Sequence, residues 1–453
     1  MTRVSTNWRS ISTADSTLWT EVDYRAATQK VVCGCQFCKT DERGASCIGC
    51  GQRARCELDN IGLVKMVLDR SGAMPLRVDL TLAGNAMFKC ITPVLQPASN
   101  RIVYLHLSAD DNSRVAAFLK ELGSLETLQQ LVIVNRAETI DEGGLELPSM
   151  LFKHMTDPLP ALRHLEVQGS YRLFSELKLP ALEYARLPIH DTSDFGRGLK
   201  LCDKIRYLHY QVGESVFDDA LDSERCIELH NRLIRLAPDV VVISNIYVLD
   251  IAAVMRVVHI PELPNLTLAF RRDSVVRLGV FAIFADIKGS WSLAWILQRT
   301  TSELCATESN GVVRKVTWED GELEDEIDSL WSQLPPLDNL HQIELDDANW
   351  LFSIPDMPQA RELSVNFDCA TGLSQAFYLF ARRLPRWPRL ERLRLQFIGG
   401  KSTDLRRGFA EKVIRIVKCS TVPKLKYLEV SGLDLVDVVF SLSEVAEFVV
   451  PIY

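Results

Sequence analysis

Residues 31–56, VVCGCQFCKTDERGASCIGCGQRARC, hold six of the chain's twelve cysteines and are its densest cluster of side chains able to do chemistry. Two Cys-x-x-Cys knuckles, Cys35 with Cys38 and Cys47 with Cys50, can present four thiolates tetrahedrally to one structural zinc ion, with Cys33 and Cys56 as spare ligands. Gly49 and Gly51 let backbone amides approach the sulfurs. The eight residues between the knuckles are fewer than the ~15 to 20 of the familiar zinc pattern. Two readings stay open: a compact zinc site, and a Cys-rich insertion that holds no metal. A redox role has less support, because no thioredoxin-like βαβ pattern surrounds either pair. Cys90, Cys202, Cys226, Cys305, Cys369 and Cys419 lie singly among apolar residues, where cysteine behaves as a small core side chain.

The other reactive residue types form no catalytic pattern. The eight histidines make no His-x-x-x-His or His-Glu-x-x-His set, and the pairs Gly143-Gly144 and Gly399-Gly400 lack the Lys-Ser/Thr of a phosphate-cradling loop. A nucleophile elbow is also missing from the sequence. The expectation is a protein that binds rather than catalyses, with no catalytic residue and no cofactor beyond the candidate zinc.

Charge is unevenly placed. Residues 319–328, EDGELEDEID, carry seven carboxylates and read as a solvated loop running into a helix whose N-terminal end favours negative charge. Residues 382–418 carry twelve Lys or Arg against three Asp or Glu, a basic end on a chain of net charge -8. That end reads either as a solvated helix face or as a dock for an acidic or phosphorylated partner. The overall acidity, with pI near 5.6, disfavours nucleic acid and anionic membranes as partners. No signal-peptide core opens the sequence. Asp250, Arg256, Arg277, Asp286 and Lys288 interrupt the two most apolar stretches, so neither offers the ~20 clean residues of a membrane span. Cysteines without an export signal point to reduced thiols in the cytoplasm or nucleus.

The elements that would position these residues follow one phrase. In LPALRHLEVQGS, residues 159–170, apolar residues fall three apart at Leu159, Leu162 and Leu165 and then alternate through Val167. This is a leucine-rich-repeat core, a lead-in followed by a short strand whose leucines point inward. Comparable strand phrases are anchored at Leu105, Leu131, Leu165, Ala185, Leu208, Val242, Leu268, Val316, Ile343, Leu363, Leu393 and Leu428. Eleven steps across 323 positions average about 29 residues and range from 20 to 48, so the array is irregular. The longest step, Leu268 to Val316, predicts a weak repeat or an inserted helix around Trp291 to Thr300. Helical patterns at 115–122, 225–236, 373–384 and 405–418 precede strands. The predicted fold is α/β, an irregular leucine-rich-repeat solenoid with parallel concave strands and convex helices. Residues between inward leucines then face the concave side. They are His106, Ser108, Glu166, Gln168, His209, Gln211, Glu344, Asp346, Ser364, Asn366, Arg394, Gln396 and Glu429, the candidate contacts for a protein target.

Two segments ahead of the repeats carry a family signal. Val4, Trp8, Arg9 and Ile11, then Leu18, Trp19, Val22 and Asp23, follow the order Val-x-x-x-Trp-Arg-x-Ile, Leu-Trp, hydrophobic-Asp. Leu68, Arg70, Ser71, Gly72, Pro75 and Leu76 then follow Leu-x-Arg-Ser-Gly-x-x-Pro-Leu, where the helix over residues 61–71 meets its Ser-Gly stop and a strand begins. Both segments resemble fungal F-box and leucine-rich-repeat proteins, over about a tenth of the chain. The resemblance divides the chain into an F-box C-terminal remnant (1–24), a Cys-rich insertion (25–60) and the repeats (61–453). It implies the substrate-receptor subunit of a Skp, cullin and F-box ubiquitin ligase, in which other subunits transfer ubiquitin. The Leu- and Pro-rich first F-box helices have no counterpart here, so a Skp-type adaptor is expected as a partner only if the F-box is completed upstream. Alternatives are a ligase-independent interaction scaffold and, with less support, a zinc-dependent nucleic-acid binder.

Overall fold

A computed structural model of the chain describes residues 15–25, 52–82, 85–109, 112–135, 149–152, 159–173, 177–190, 192–213, 223–246, 251–258, 261, 263–271, 278–298, 301–319, 331, 334–346, 355–368, 387–398, 409–419, 424–432 and 439–452. The chain divides into two compact units, Met1–Val216 with Asn231–Pro238, and Phe217–His230 with Asp239–Tyr453. Each is α/β, with a mostly parallel sheet and helices in its connections.

The first unit holds, in chain order, β1 (Glu21–Arg25), α1 (Gln52–Ser71), β2 (Leu76–Leu82), α2 (Asn85–Leu95), β3 (Ile102–Ala109), α3 (Asn112–Leu122), β4 (Gln130–Asn135), β5 (Ser149–Leu151), β6 (His164–Gln168), β7 (Tyr171–Leu173), β8 (Tyr184–Ile189), α4 (Thr192–Lys200), β9 (Tyr207–Val212) and the last turns of α5 (Ser223–Leu236). β1, β2, β3, β4, β6, β8 and β9 pair side by side, all parallel. β5 and β7 form a separate parallel pair.

Register explains the core. Val22, Val78, Leu105, Leu131, Leu165, Ala185 and Leu208 occupy one row across the seven strands, and from Val78 onward all are fully buried. In the phrases of Leu131, Leu165 and Ala185 the lead-in is a turn. The Leu162 amide donates to the Leu159 carbonyl at 3.2 Å, Leu182 to Leu179 at 3.1 Å and Leu128 to Leu125 at 3.1 Å. All six leucines are buried, so the turn delivers apolar side chains to the same core as the strand. Where a helix fills the connection, as in α3, Val115, Phe118, Leu119 and Leu122 are buried together and Phe118 meets Phe88 of α2 edge to face at 5.8 Å.

α1 begins nine residues earlier than the apolar pattern at 61 suggests. Its end matches the predicted stop. Gly72 takes φ +56°, a left-handed conformation that costs glycine least. The Ser71 hydroxyl donates to the Leu68 carbonyl at 2.8 Å, and the Arg101 guanidinium donates to the carbonyls of Leu68, Gly72 and Met74 and to the Ser71 hydroxyl. A cation from the next connection thus meets carbonyls that the helix leaves unpaired. The two segments that carry the family signal also touch, since the Arg70 guanidinium lies over the Trp19 ring at 4.5 Å.

The second unit holds β10 (Val240–Ile246), α6 (Ile251–Val258), β11 (Asn265–Phe270), β12 (Trp291–Gln298), β13 (Thr301–Glu308), β14 (Val313–Glu319), β15 (Leu340–Asp346), β16 (Glu362–Asp368), β17 (Arg392–Ile398), α7 (Phe409–Cys419), β18 (Leu425–Ser431), the short α8 (Val439–Leu442) and β19 (Ala446–Ile452). β15 to β19 pair in sequence, all parallel, and Ile343, Leu363, Leu393, Leu428 and Val449 share a row. The Leu-x-x-Leu turn recurs, with Leu390 donating to Trp387 at 3.1 Å and Ala360 to Met357 at 3.3 Å.

Two expectations are corrected in this unit. Residues 291–298 form strand β12 rather than an inserted helix. β12, β13 and β14 make an antiparallel meander, with β14 beside β11 and β12 beside β15, so chain order runs backwards across this part of the sheet. Alternation of buried Trp291, Leu293 and Trp295 with half-buried Ser292, Ala294 and Ile296 has the two-residue period of a strand. The anchor at Val242 is also off by one. Val241 and Ile243 are the buried residues, because the run Val240-Val241-Val242-Ile243 contains no polar residue to show which face is which.

Candidate functional site

The face of each sheet opposite the buried rows carries the predicted contacts, and register aligns them. In the first unit, Asp79, His106, Val132, Glu166, Arg186 and His209 form one row and Thr81, Ser108, Val134 and Gln168 the next, with Gln211 at the end of β9. In the second unit, Glu344, Ser364, Arg394 and Glu429 form one row and Asp346, Asn366, Gln396 and Ser431 the next. Residues 20 to 35 positions apart in the chain are therefore lateral neighbours about one strand spacing, ~4.8 Å, from one another.

Three of the predicted contacts are less open than expected. Ser108 is 1% exposed, and Ser364 and Asn366 are each 9% exposed, because larger neighbours in register cover these small side chains. Of the single cysteines, Cys202 and Cys226 are buried as expected, whereas Cys90 is exposed and Cys305 is half-buried on the polar face of β13. The side chains of Cys369 and Cys419 lie outside the described residues. So do those of Cys33, Cys35, Cys38, Cys47, Cys50 and Cys56, together with Val4, Trp8, Arg9, Ile11 and all of the acidic block but Glu319.

The rows are knit by polar contacts. In the first unit His106 Nδ1 lies 3.0 Å from Asp79 Oδ1, the Arg186 guanidinium donates to Glu166 Oε1 at 2.9 Å, and Gln168 Nε2 donates to the same oxygen at 2.7 Å. Burial first, and then the Arg186 charge, push His209 down to about 4, so its ring is neutral at pH 7. In the second unit Lys315 pairs with Glu303 at 2.7 Å, Arg392 with Glu362 at 3.1 Å, and Arg394 with Glu429 at 2.7 Å. Asn366 Nδ2 donates to both Glu344 Oε1 at 3.2 Å and Asp346 Oδ1 at 3.0 Å.

A further row escaped the sequence reading. His164, Tyr184 and Tyr207 stack as a ladder, with ring centroids 4.0 and 4.4 Å apart and planes within 7°. Tyr104, in the same row, lies under the Arg77 guanidinium at 4.3 Å. Burial, and then the neighbouring Tyr207, hold the Tyr184 hydroxyl at about 12. The second unit has a row of its own at the corresponding strand position, Glu362, Arg392, Tyr427 and Phe448. The signal was available: each of these residues immediately precedes the first inward residue of its phrase, a position that must also face outward.

The basic C-terminal end does not gather into one patch among the described residues. Arg392 and Arg394 lie on the polar strand face in ion pairs, whereas Arg415 and Lys418 lie on α7, which buries Val413 and Val417. No helix among the described residues is long and apolar enough to cross a membrane. Neither the models of known protein families nor the sequences of curated proteins match this chain.

Proposed function

We propose that this chain is a protein-recognition scaffold, an irregular leucine-rich-repeat solenoid whose polar strand face holds a target protein. The observation that carries the reading is the register. It lines up charged, amide and aromatic side chains from successive strands in continuous rows, while the alternating leucines are spent on the core. Such rows suit an extended polar surface better than an enclosed small-molecule site. The contact between Trp19 and Arg70 supports the resemblance to F-box substrate receptors, because it joins the two segments that carry that resemblance. On this reading the chain acts by binding, in the cytoplasm or nucleus, and any ubiquitin transfer belongs to other subunits.

The test is capture. The intact chain, and a variant in which Gln168, Arg186, His209, Gln211, Arg394 and Gln396 are replaced by alanine, are used to recover partners from extract under matched folding. Loss of a specific partner is expected; retention of every partner by the variant refutes the strand face as the binding site. Co-purification with a Skp-type adaptor tests the ligase part separately, and its failure favours the ligase-independent scaffold.

A further inference from the structure

We propose that Asn310, in the turn between β13 and β14, is a deamidation site at which the folded chain reacts with water, and that the new carboxylate releases the tie between this turn and the residues ahead of β12. The proposal goes beyond the recognition reading and does not depend on it.

Sequence comes first. Asn310 is the only asparagine of the chain that is followed by glycine. Deamidation begins when the backbone nitrogen of the next residue attacks the asparagine side-chain carbonyl carbon, and a Cβ on that next residue obstructs the closing ring. Gly311 has none. Ser309, Asn310 and Gly311 are all exposed, and a Cβ added at Gly311 would meet no atom within 4 Å, so water reaches the turn.

Geometry readies the amide. Asn310 Oδ1 accepts from the Val312 amide at 3.0 Å, which folds the side chain along its own backbone and brings its carbonyl carbon toward the Gly311 nitrogen. The same N–H stands where negative charge develops on Oδ1 during attack, as a donor in an oxyanion hole does. The Gly311 N–H donates to the Glu308 carbonyl at 2.9 Å, so it first leaves that acceptor in a local opening of the exposed turn. It then loses its proton to hydroxide. The nitrogen bonds to the carbonyl carbon, the bond to Nδ2 breaks, and ammonia leaves with a proton taken from water. Water then opens the resulting cyclic imide at either carbonyl, giving aspartate or isoaspartate. The sum is asparagine and water giving the acid and ammonia, with no oxidant or cofactor.

The new charge has a defined place to act. Asn310 Nδ2 donates to Glu308 Oε2 at 3.1 Å, and Glu308 Oε1 accepts from the Gly289 amide at 2.7 Å. One carboxylate thus joins the turn to the segment that leads into β12. After deamidation an oxygen replaces the Nδ2 donor, and two carboxylates face each other where an amide and a carboxylate did. Glu308 turns away, and the Gly289 N–H loses its acceptor. A second link, in which the Ser309 amide donates to the Ser290 carbonyl at 2.8 Å, uses neither side chain and is kept.

The experiment ages the full chain in neutral buffer, folded and in urea, and follows conversion at each asparagine by peptide mass spectrometry, with isoaspartate separated from aspartate by chromatography. The folded chain should convert at Asn310 faster than at any other asparagine, and Asn310→Gln should abolish conversion at that position. Freshly made Asn310→Asp protein then isolates the consequence from the chemistry. Its Gly289 amide should exchange hydrogen about tenfold faster than the parent's, the equivalent of one lost charge-assisted hydrogen bond, while the Ser309 amide stays within about twofold. Conversion confined to the urea sample, or another asparagine converting first in the folded chain, would overturn the site. Unchanged exchange at Gly289 in Asn310→Asp, or equal acceleration at Ser309, would overturn the release.

Discussion

Arg314 is fully buried on β14, and its removal should destabilise the second unit by about 2 to 4 kcal/mol, a figure worked from its hydrogen bonds. The guanidinium donates to the carbonyls of Leu263 at 2.8 Å, Pro261 at 3.0 Å, Val313 at 3.0 Å and Pro264 at 3.4 Å. The Pro264 carbonyl also accepts from the Val313 amide at 2.7 Å, so it keeps a partner without the side chain. Leu263 and Pro261 lose a charged donor, at about 1.5 to 3 kcal/mol each. Leucine at 314 recovers part of this, because burial disfavours the guanidinium charge and holds its pKa below the ordinary value. Lys315, one residue on, faces the other side and pairs with Glu303 while still partly exposed, so Lys315→Leu should cost at most about 1 kcal/mol. Urea titration read by hydrogen exchange at the amides of β11 and β14 isolates this unit, where a single global transition would mix two. An Arg314→Leu variant within about 0.5 kcal/mol of the parent, or a costlier Lys315→Leu, would refute the reasoning.

Acid should weaken the first unit through His209. Its folded pKa of about 4 lies below its ordinary value of 6.5, so the unfolded chain binds more protons between them, and the stabilisation present above pH 6.5 is lost as pH falls toward 4. His209→Gln should flatten urea midpoints measured across that window. Gly432→Ala should lower the thermal midpoint and cost about 2 kcal/mol or more, since Gly432 sits at φ +78° and an added Cβ would fall on the Phe397 carbonyl oxygen. Leu165→Ala and Leu393→Ala should each cost about 2 to 5 kcal/mol in denaturant titrations, against about 0.5 or less for Gln396→Ala on the exposed face. For residues 31–56, elemental analysis of protein purified without chelator should find about one zinc per chain, lost in the Cys47→Ser, Cys50→Ser double variant.

The alternation around Leu105, Leu131, Leu165, Leu393 and Leu428 was legible because a strand's two-residue period is a local property, and each of these residues sits buried in a strand. The stop at Ser71-Gly72 was legible for the same reason, since a helix end is decided by the few residues around it. Which strands become neighbours was not. β12 to β14 alternate like the other strands, and only long-range hydrogen bonding turns them into a backward-running meander. The role of Arg314 followed from that meander. In Val-Arg-Lys-Val either cation can face inward, and the carbonyls that receive Arg314 come from a segment about 50 residues earlier. The stacked row of His164, Tyr184 and Tyr207 and the junction of Glu344, Asp346 and Asn366 belong to tertiary structure too. Each joins residues from strands distant in the chain, and it is the register of parallel strands that brings them within bonding distance.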